Sequence, residues 1–226
     1  MLLSWLPENV SSFGRDVDGI LSLIFVVTLA WFIVTIGTFL VFVIRYRRRE
    51  GQPAAHVTGE RWREAAWIVL PCVLVLVLDF WIDFRGAPVW AKIKVDRPET
   101  DLVIRVTAKQ FTWLVTYPGP DGRFDTDDDR TFMDEIHVPA GKPVQLSLQS
   151  QDVIHSFFLP NLRLKQDVLP GRTIFAWLDA GKPGKYELPC AQLCGFGHSG
   201  MKGWLFVHEA GDYERWVKEQ WPGGRS

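Results

Sequence analysis

Three cysteines in 226 residues are too few for a disulfide scaffold, and no C-x-x-C-H haem-attachment motif occurs anywhere. A fused cytochrome c domain is therefore not expected. An excess of one sign of charge is lacking too: formal net charge is −1, so no basic field argues for nucleic acid. Neither lysine nor arginine precedes the first apolar residues, and no clear cleavage site follows, so a removable signal peptide is not expected.

The most consequential absence runs from Gly19 to Ile44, where no residue is charged and Leu, Ile, Val and Phe dominate. At about 1.5 Å rise per residue such a run crosses the roughly 30 Å hydrocarbon core of a bilayer. It predicts a transmembrane helix over about 20–44. A second run, AAWIVLPCVLVLVLDFWI, stays uncharged only from Ala65 to Asp79. Its flanks extend the prediction to about 63–82, because Trp62 and Trp67 at one end and Phe80, Trp81, Phe84 and Trp90 at the other match interfacial aromatic belts. Pro71 is tolerable where neighbouring helices satisfy the freed carbonyl. Cys72 is expected to pack. Asp79 belongs at the outer interface or against a base on a neighbouring subunit.

Between these runs Arg45, Arg47, Arg48, Arg49, Arg61 and Arg63 stand against three glutamates. The positive-inside rule places that loop in the cytoplasm, with both termini and everything after Arg85 on the outer, periplasmic side of the cell membrane. The expected division is 1–85, carrying the two membrane helices as a hairpin, and 86–226, an external domain.

In 86–226 the period changes to two. LVIRVTA (102–108), FTWLVTY (111–117), FMDEIHV (132–138), VQLSLQS (144–150), VIHSFFL (153–159), TIFAWL (173–178) and GWLFVH (203–208) are rich in β-branched and aromatic residues, and PGPDG, PAGKP, LPGR and KPGK separate them. This spacing predicts an all-β sandwich or Greek-key barrel. DYERWVKEQW reads as a short amphipathic helix capped by Asp212, with Tyr213, Trp216, Val217 and Trp221 on one face. The five aspartates of DGRFDTDDDR (121–130) do not have the alternating spacing of a calcium loop and read as a solvated acidic hairpin. Docking of a basic partner is the alternative.

The chemistry is concentrated in CAQLCGFGHSGM (190–201). A Cys190–Cys194 disulfide is allowed outside the cytoplasm but leaves His198 and Met201 unexplained. Zinc accepts thiolates and imidazoles but not a thioether. Copper uses the whole set: soft thiolates, imidazole and a weak methionine ligand that tunes potential. One cysteine serves one copper; two on one loop can bridge a pair. The second metal then needs another histidine. His155, in QDVIHSFFLP, is the best candidate, since His56 falls on the cytoplasmic side and His137 and His208 read as structural.

The pattern H…C-x₃-C-x₃-H-x₂-M, with DVIHSFFLP ahead of it and LKQDVLPGR between, resembles subunit II of cytochrome c oxidase over essentially the whole chain. The resemblance implies two N-terminal helices followed by a cupredoxin domain with a dinuclear CuA centre of two copper ions. It implies that Cys190 and Cys194 bridge both coppers, that His155 and the backbone carbonyl of Gln192 complete one, and that His198 and Met201 complete the other. It implies electrons accepted from a cytochrome c and passed to haem in subunit I, where oxygen is reduced and protons are translocated. REAAWIVLP resembles the start of the family's second helix, which maps a proton-uptake carboxylate onto Glu64; an ordinary interfacial carboxylate is the alternative.

Two departures stand out. The family's Gln-Trp-Tyr-Trp electron-input patch reads QFTW here, keeping only Trp113 of its aromatic residues apart from the substituted Phe111. Gln192 replaces the glutamate that holds Mg or Mn at the subunit I interface, and a neutral amide is a weaker ligand for a hard cation. A CuA-containing nitric oxide reductase and a membrane-anchored cupredoxin carrier are the alternative settings for the same centre. A quinol oxidase subunit is disfavoured because such relatives lack the copper ligands.

Overall fold

The computed structural model describes residues 5–53, 56 and 58–223. The extreme termini, expected on the outer side, lie outside the described residues. Two compact units emerge, residues 18–90 and the combination of residues up to 17 with those from 91 onward.

The helical unit holds most of α1 (Gly14–Arg45) and α2 (Trp62–Lys94), whose ends, up to Val17 and from Ala91 on, belong to the other unit. Both are long and apolar enough to cross a membrane, and their most apolar windows are 0% buried within the chain. So much exposed Leu, Ile, Val and Phe is not a water-facing surface. Each helix outruns its expected span. α2 continues through Asp79, Asp83, Arg85 and Pro88 to Lys94, twelve residues past the predicted end at 82, and its last turn has polar partners of its own. Ile93 O accepts a hydrogen bond from Trp177 Nε1 at 3.0 Å, Lys94 Nζ donates to Gln166 at 2.6 Å, and Lys92 pairs with Asp16 at 2.7 Å.

The other unit is an all-β sandwich in which polar and apolar residues alternate along the strands. β1 (Val103–Lys109), β2 (Thr112–Tyr117), β3 (Arg130–Met133), β5 (Val144–Ser150) and β8 (Ile174–Leu178) form one sheet in the order β3-β2-β1-β5-β8, with β1 and β5 parallel. β4 (Glu135–Pro139), β10 (Lys202–His208) and β9 (Gly184–Pro189) form a second, and β6 (His155–Leu159) pairs with β7 (Leu164–Val168). Ile104, Val106, Val115, Leu146 and Leu148 from the larger sheet share one core with Ile136, Val138, Leu188, Leu205 and Val207 from the smaller. Burying each such side chain stabilises by roughly 1.5–3 kcal/mol.

Three local expectations are corrected. FMDEIHV is not one strand: Asp134 takes φ 60° and breaks it, so β3 and β4 join different sheets. The break is held because Asp134 accepts Trp113 N at 2.7 Å and its own amide donates to Trp113 O at 2.8 Å. LKQDV and GKYELP are strands, β7 and β9, that the apolar pattern did not reveal, since β7 buries only its end residues and β9 is largely exposed. Asp212 is not the cap of the last helix, α3 (Ala210–Gln220); Glu209 occupies the cap position, and Asp212 pairs with Arg215 at 3.1 Å inside the helix.

The expected apolar face of α3 does pack. Trp216 stacks on His137 with centroids 4.6 Å apart and contacts Phe132 and Tyr117, and Trp221 is buried. His137 Nδ1 and His208 Nε2 are 2.9 Å apart beneath it. Burial, with His208 beside it, holds His137 below the usual imidazole value, and burial lowers His208 likewise. In the acidic hairpin, Asp125 accepts two bonds from Arg105 at 2.6 and 3.0 Å, and Trp221 Nε1 donates to Asp128 O at 2.8 Å. Finally, the segment before α1 belongs to the β unit: Val10 N bonds Asn161 O at 2.9 Å, Ser11 bridges Ala180, and Phe13 is fully buried against Trp177.

Candidate metal centre

His155 opens β6, and an isolated bridge from Phe157 to Cys190 fixes the start of the 190–201 loop beside that strand. Cys190 N bonds Met201 O at 3.0 Å, so the loop leaves β9 and rejoins β10 at adjacent points. Between them a short 3-10 turn, His198–Gly200, lifts His198 back toward Cys194. The loop's ends are tied before any ligand is considered.

All six donors expected from the sequence converge. Cys190 Sγ lies 3.9 Å from His155 Nδ1 and 3.3 Å from Gln192 O. Cys194 Sγ lies 3.5 Å from His198 Nδ1 and 3.8 Å from Met201 Sδ. The two sulfurs are 3.9 Å apart. The arrangement is two half-sites of similar composition, each with a thiol, an imidazole nitrogen and a weaker donor, joined through the sulfurs. His155 is 0% exposed, Met201 1%, Cys194 4% and Cys190 7%.

This donor set fits a pair of soft or borderline metal ions. It offers no hard-oxygen cage, and its thioether and short S–S separation suit copper rather than a four-ligand zinc site. Burial, followed by the neighbouring Cys190, pushes the Cys194 thiol up to about 11. Without a cation the Cys194 sulfur keeps its proton; a bound metal would take over the charge and displace it.

Two residues beyond the predicted set touch the ligands. Asp152 Oδ1 is 2.9 Å from His155 Nε2, and its Oδ2 accepts Gln110 N at 2.7 Å. Burial pushes the Asp152 carboxyl up, but the bonds from His155 and from the Gln110 and Val153 amides outweigh it and leave the group below its usual range. Gln110 Nε2 donates to Cys194 O at 2.6 Å. The aspartate three positions before His155 was a readable signal; Gln110 carried none beyond its place ahead of the aromatic patch.

The remaining predicted residues sit elsewhere. Trp113 is wholly buried, edge to face with His155 at 6.1 Å and with Phe157 at 5.6 Å, so it does not meet solvent itself. Phe111 is the patch residue at the surface, and Phe196 and Leu193 on the ligand loop are more exposed still. The Gln192 side chain is exposed. Glu64 is not part of the cluster; it lies in the first turn of α2, where its carboxyl accepts Gly59 N at 2.9 Å.

The sequence profile described as cytochrome c oxidase subunit II, periplasmic domain, matches residues 102–205. The chain is 31% identical to cytochrome c oxidase subunit 2 of Thermostichus vulcanus, over 95% of this chain and 78% of that protein. It is 28% identical to the same subunit of a Synechocystis strain, over 96% of this chain and 76% of the relative. Among solved structures, the periplasmic domain of subunit II of cytochrome oxidase from Bradyrhizobium japonicum matches at 30% identity and TM-score 0.49, covering 56% of this chain and 97% of that one.

Proposed function

The chain belongs to the cytochrome c oxidase subunit II family, and from that premise we propose that its β unit is a dinuclear copper relay, CuA, working as the electron-input module of a haem–copper oxidase. The observation that carries the reading is the pair of thiols 3.9 Å apart, each with its own imidazole Nδ1 within 3.9 Å. A mononuclear site has no use for the duplicated half.

A bound copper pair supplies one-electron transfer with small reorganisation, because the charge is shared over two metals. The protein's contribution is to hold the donors. Cys190 and Cys194 would hold both metals, with His155 and the Gln192 carbonyl on one and His198 and Met201 on the other. The burial of His155 and Met201 keeps water away from the centre and limits how far the ligands can move. Trp113, against His155 on its buried side, is the aromatic contact between the ligand and β2, which starts just after the exposed Phe111. Electrons from a cytochrome c arrive over the Phe111 side and leave for haem in subunit I, where oxygen is reduced and protons are translocated.

In this reading α1 and α2 cross the cell membrane, with the arginine-rich loop inside and the copper domain on the periplasmic side. Glu64, at the inner end of α2, is the proton-uptake carboxylate. Gln192 supplies its carbonyl to copper, while its neutral side chain is a poor ligand for Mg at the subunit I interface.

The test is copper analysis and electron paramagnetic resonance of the full chain in detergent, copper-loaded and partly oxidised. Two coppers per chain, with hyperfine structure from one electron shared equally by both nuclei, are expected. A single-copper spectrum, or a copper-free chain with a Cys190–Cys194 disulfide, would overturn the proposal.

A further inference from the structure

Two ligand-bearing segments far apart in sequence are joined by a path that runs through no ligand atom. Starting at His155, the ring Nε2 bonds Asp152 Oδ1 at 2.9 Å. The other oxygen of the same carboxylate accepts Gln110 N at 2.7 Å. The side chain of Gln110 then reaches to Cys194 O, donating from Nε2 at 2.6 Å. Asp152 is in the loop between β5 and β6, Gln110 in the turn between β1 and β2, and Cys194 in the loop between β9 and β10. Three loops with no covalent reason to keep register are thereby tied in one line.

The ligand loop is shaped to receive this tie. At Gly195, where φ is +133°, a Cβ would stand 2.7 Å from Gln110 Nε2. At Gly197 a Cβ would stand 2.4 Å from the Phe111 ring. The loop backbone therefore lies directly under the β1–β2 turn, close enough that a side chain on either glycine would displace it. The carboxylate also decides which face of His155 is free. With Nε2 donating to Asp152, the ring keeps its proton there, and Nδ1 is left as the lone-pair nitrogen facing Cys190.

We propose that Asp152 and Gln110 are positioning residues of the metal centre, a two-link brace that sets the separation of its halves by holding the His155 imidazole at one end and the Cys194 backbone at the other. This rests on the copper reading above. The brace has no role in passing electrons. It fixes the spacing across which the sulfurs must bridge, and it opposes the opening of the loop through which a metal would leave. Because the two links act in series, breaking either releases the same constraint.

The experiment uses the full chain in detergent, loaded with copper, in wild-type form and as Gln110→Ala, Gln110→Met, Asp152→Asn and the Gln110→Met/Asp152→Asn double variant. Gln110→Met keeps the length of the side chain and removes only the donor, so a folded variant is available should the alanine variant disrupt the turn. The readouts are the hyperfine pattern and the rate of copper loss to a soluble Cu(I) chelator. Both Gln110 variants are expected to lose copper about 10-fold faster, at the lower end of the 10–100-fold cost of removing a group that orients a metal ligand. They should also show unequal sharing of the electron between the two metals. The double variant should lose copper no faster than Asp152→Asn alone, a non-additivity expected of links in series. Wild-type release rates and spectra in Gln110→Met, or effects that multiply in the double variant, would overturn the brace while leaving the copper centre standing. A wild-type chain without the two-copper spectrum would overturn the copper reading, and the brace with it.

Discussion

Replacing Phe13 with alanine should destabilise the β unit although residue 13 precedes the first membrane helix. Phe13 is 0% exposed, its ring 5.0 Å from that of Trp177 at an interplanar angle of 68°. Val10, three residues earlier, is 6% exposed in the same core, and both backbone groups of Val10 are hydrogen-bonded, to Asn161 O and from Gly181 N. Removing a phenylalanine from such a site costs about 3–5 kcal/mol, because the cavity is lined by strands that cannot close over it. For a unit of this size each kcal/mol lowers the midpoint by about 2–4 °C, so a fall on the order of 10 °C is expected. Near-ultraviolet circular dichroism of the full chain in detergent follows it, with Trp177 beside the lesion. Phe32→Ala is the control, since Phe32 is 60% exposed on α1 and is not part of the buried core. A Phe13→Ala midpoint within about 2 °C of that control, well under the smallest shift the cavity argument allows, would refute the claim that this segment completes the core.

Glu64→Ala should slow proton uptake and turnover of the assembled oxidase without altering copper content; unchanged uptake and turnover would show an interfacial carboxylate and nothing more. Phe111→Trp restores the aromatic residue of the family pattern at a surface position, and should speed reduction by a soluble cytochrome c in stopped-flow measurements; an unchanged rate would place electron input elsewhere. Stability of the β unit should fall as pH drops below the ordinary imidazole value of 6.5, because burial lowers both His137 and His208 in the folded state. The unfolded chain then binds protons that the folded one resists, so the contribution is complete above that value and is lost progressively below it. Urea titrations at several pH values measure it, and His137→Gln should flatten the dependence; an identical slope in that variant would exclude the pair.

Legibility differed between the site and its support. The convergence of the candidate donors was readable because thiols, an imidazole and a thioether fall within one short loop, and His155 stood out by elimination among five histidines. β1, β2 and β5 were readable from alternation, since one face of each meets the core. β7 and β9 were not, because their pairing rests on backbone bonds with little apolar burial to mark it. The break at Asp134 depends on contacts with Trp113, twenty-one positions away. The place of Val10 and Phe13 in the β core, and the link from Gln110 to Cys194 across 84 positions, are long-range facts with no local pattern. Trp113 kept its aromatic identity in the sequence but not its depth, which only the fold sets.

The spacing of the donors also bears on how the chain unfolds. Four side-chain ligands and the Gln192 carbonyl come from one short loop, whereas His155 is 35 positions from Cys190. A metal held by the loop alone would restrain only a short stretch of unfolded chain. With His155 as a ligand, a bound metal pair would cross-link β6 to the β9–β10 connection, and closing that loop in the unfolded ensemble would be worth about 4 kcal/mol. In the assignment proposed here, the one distant ligand converts an electron relay into a staple, so that losing copper and losing the β6–β9 contact become a single event.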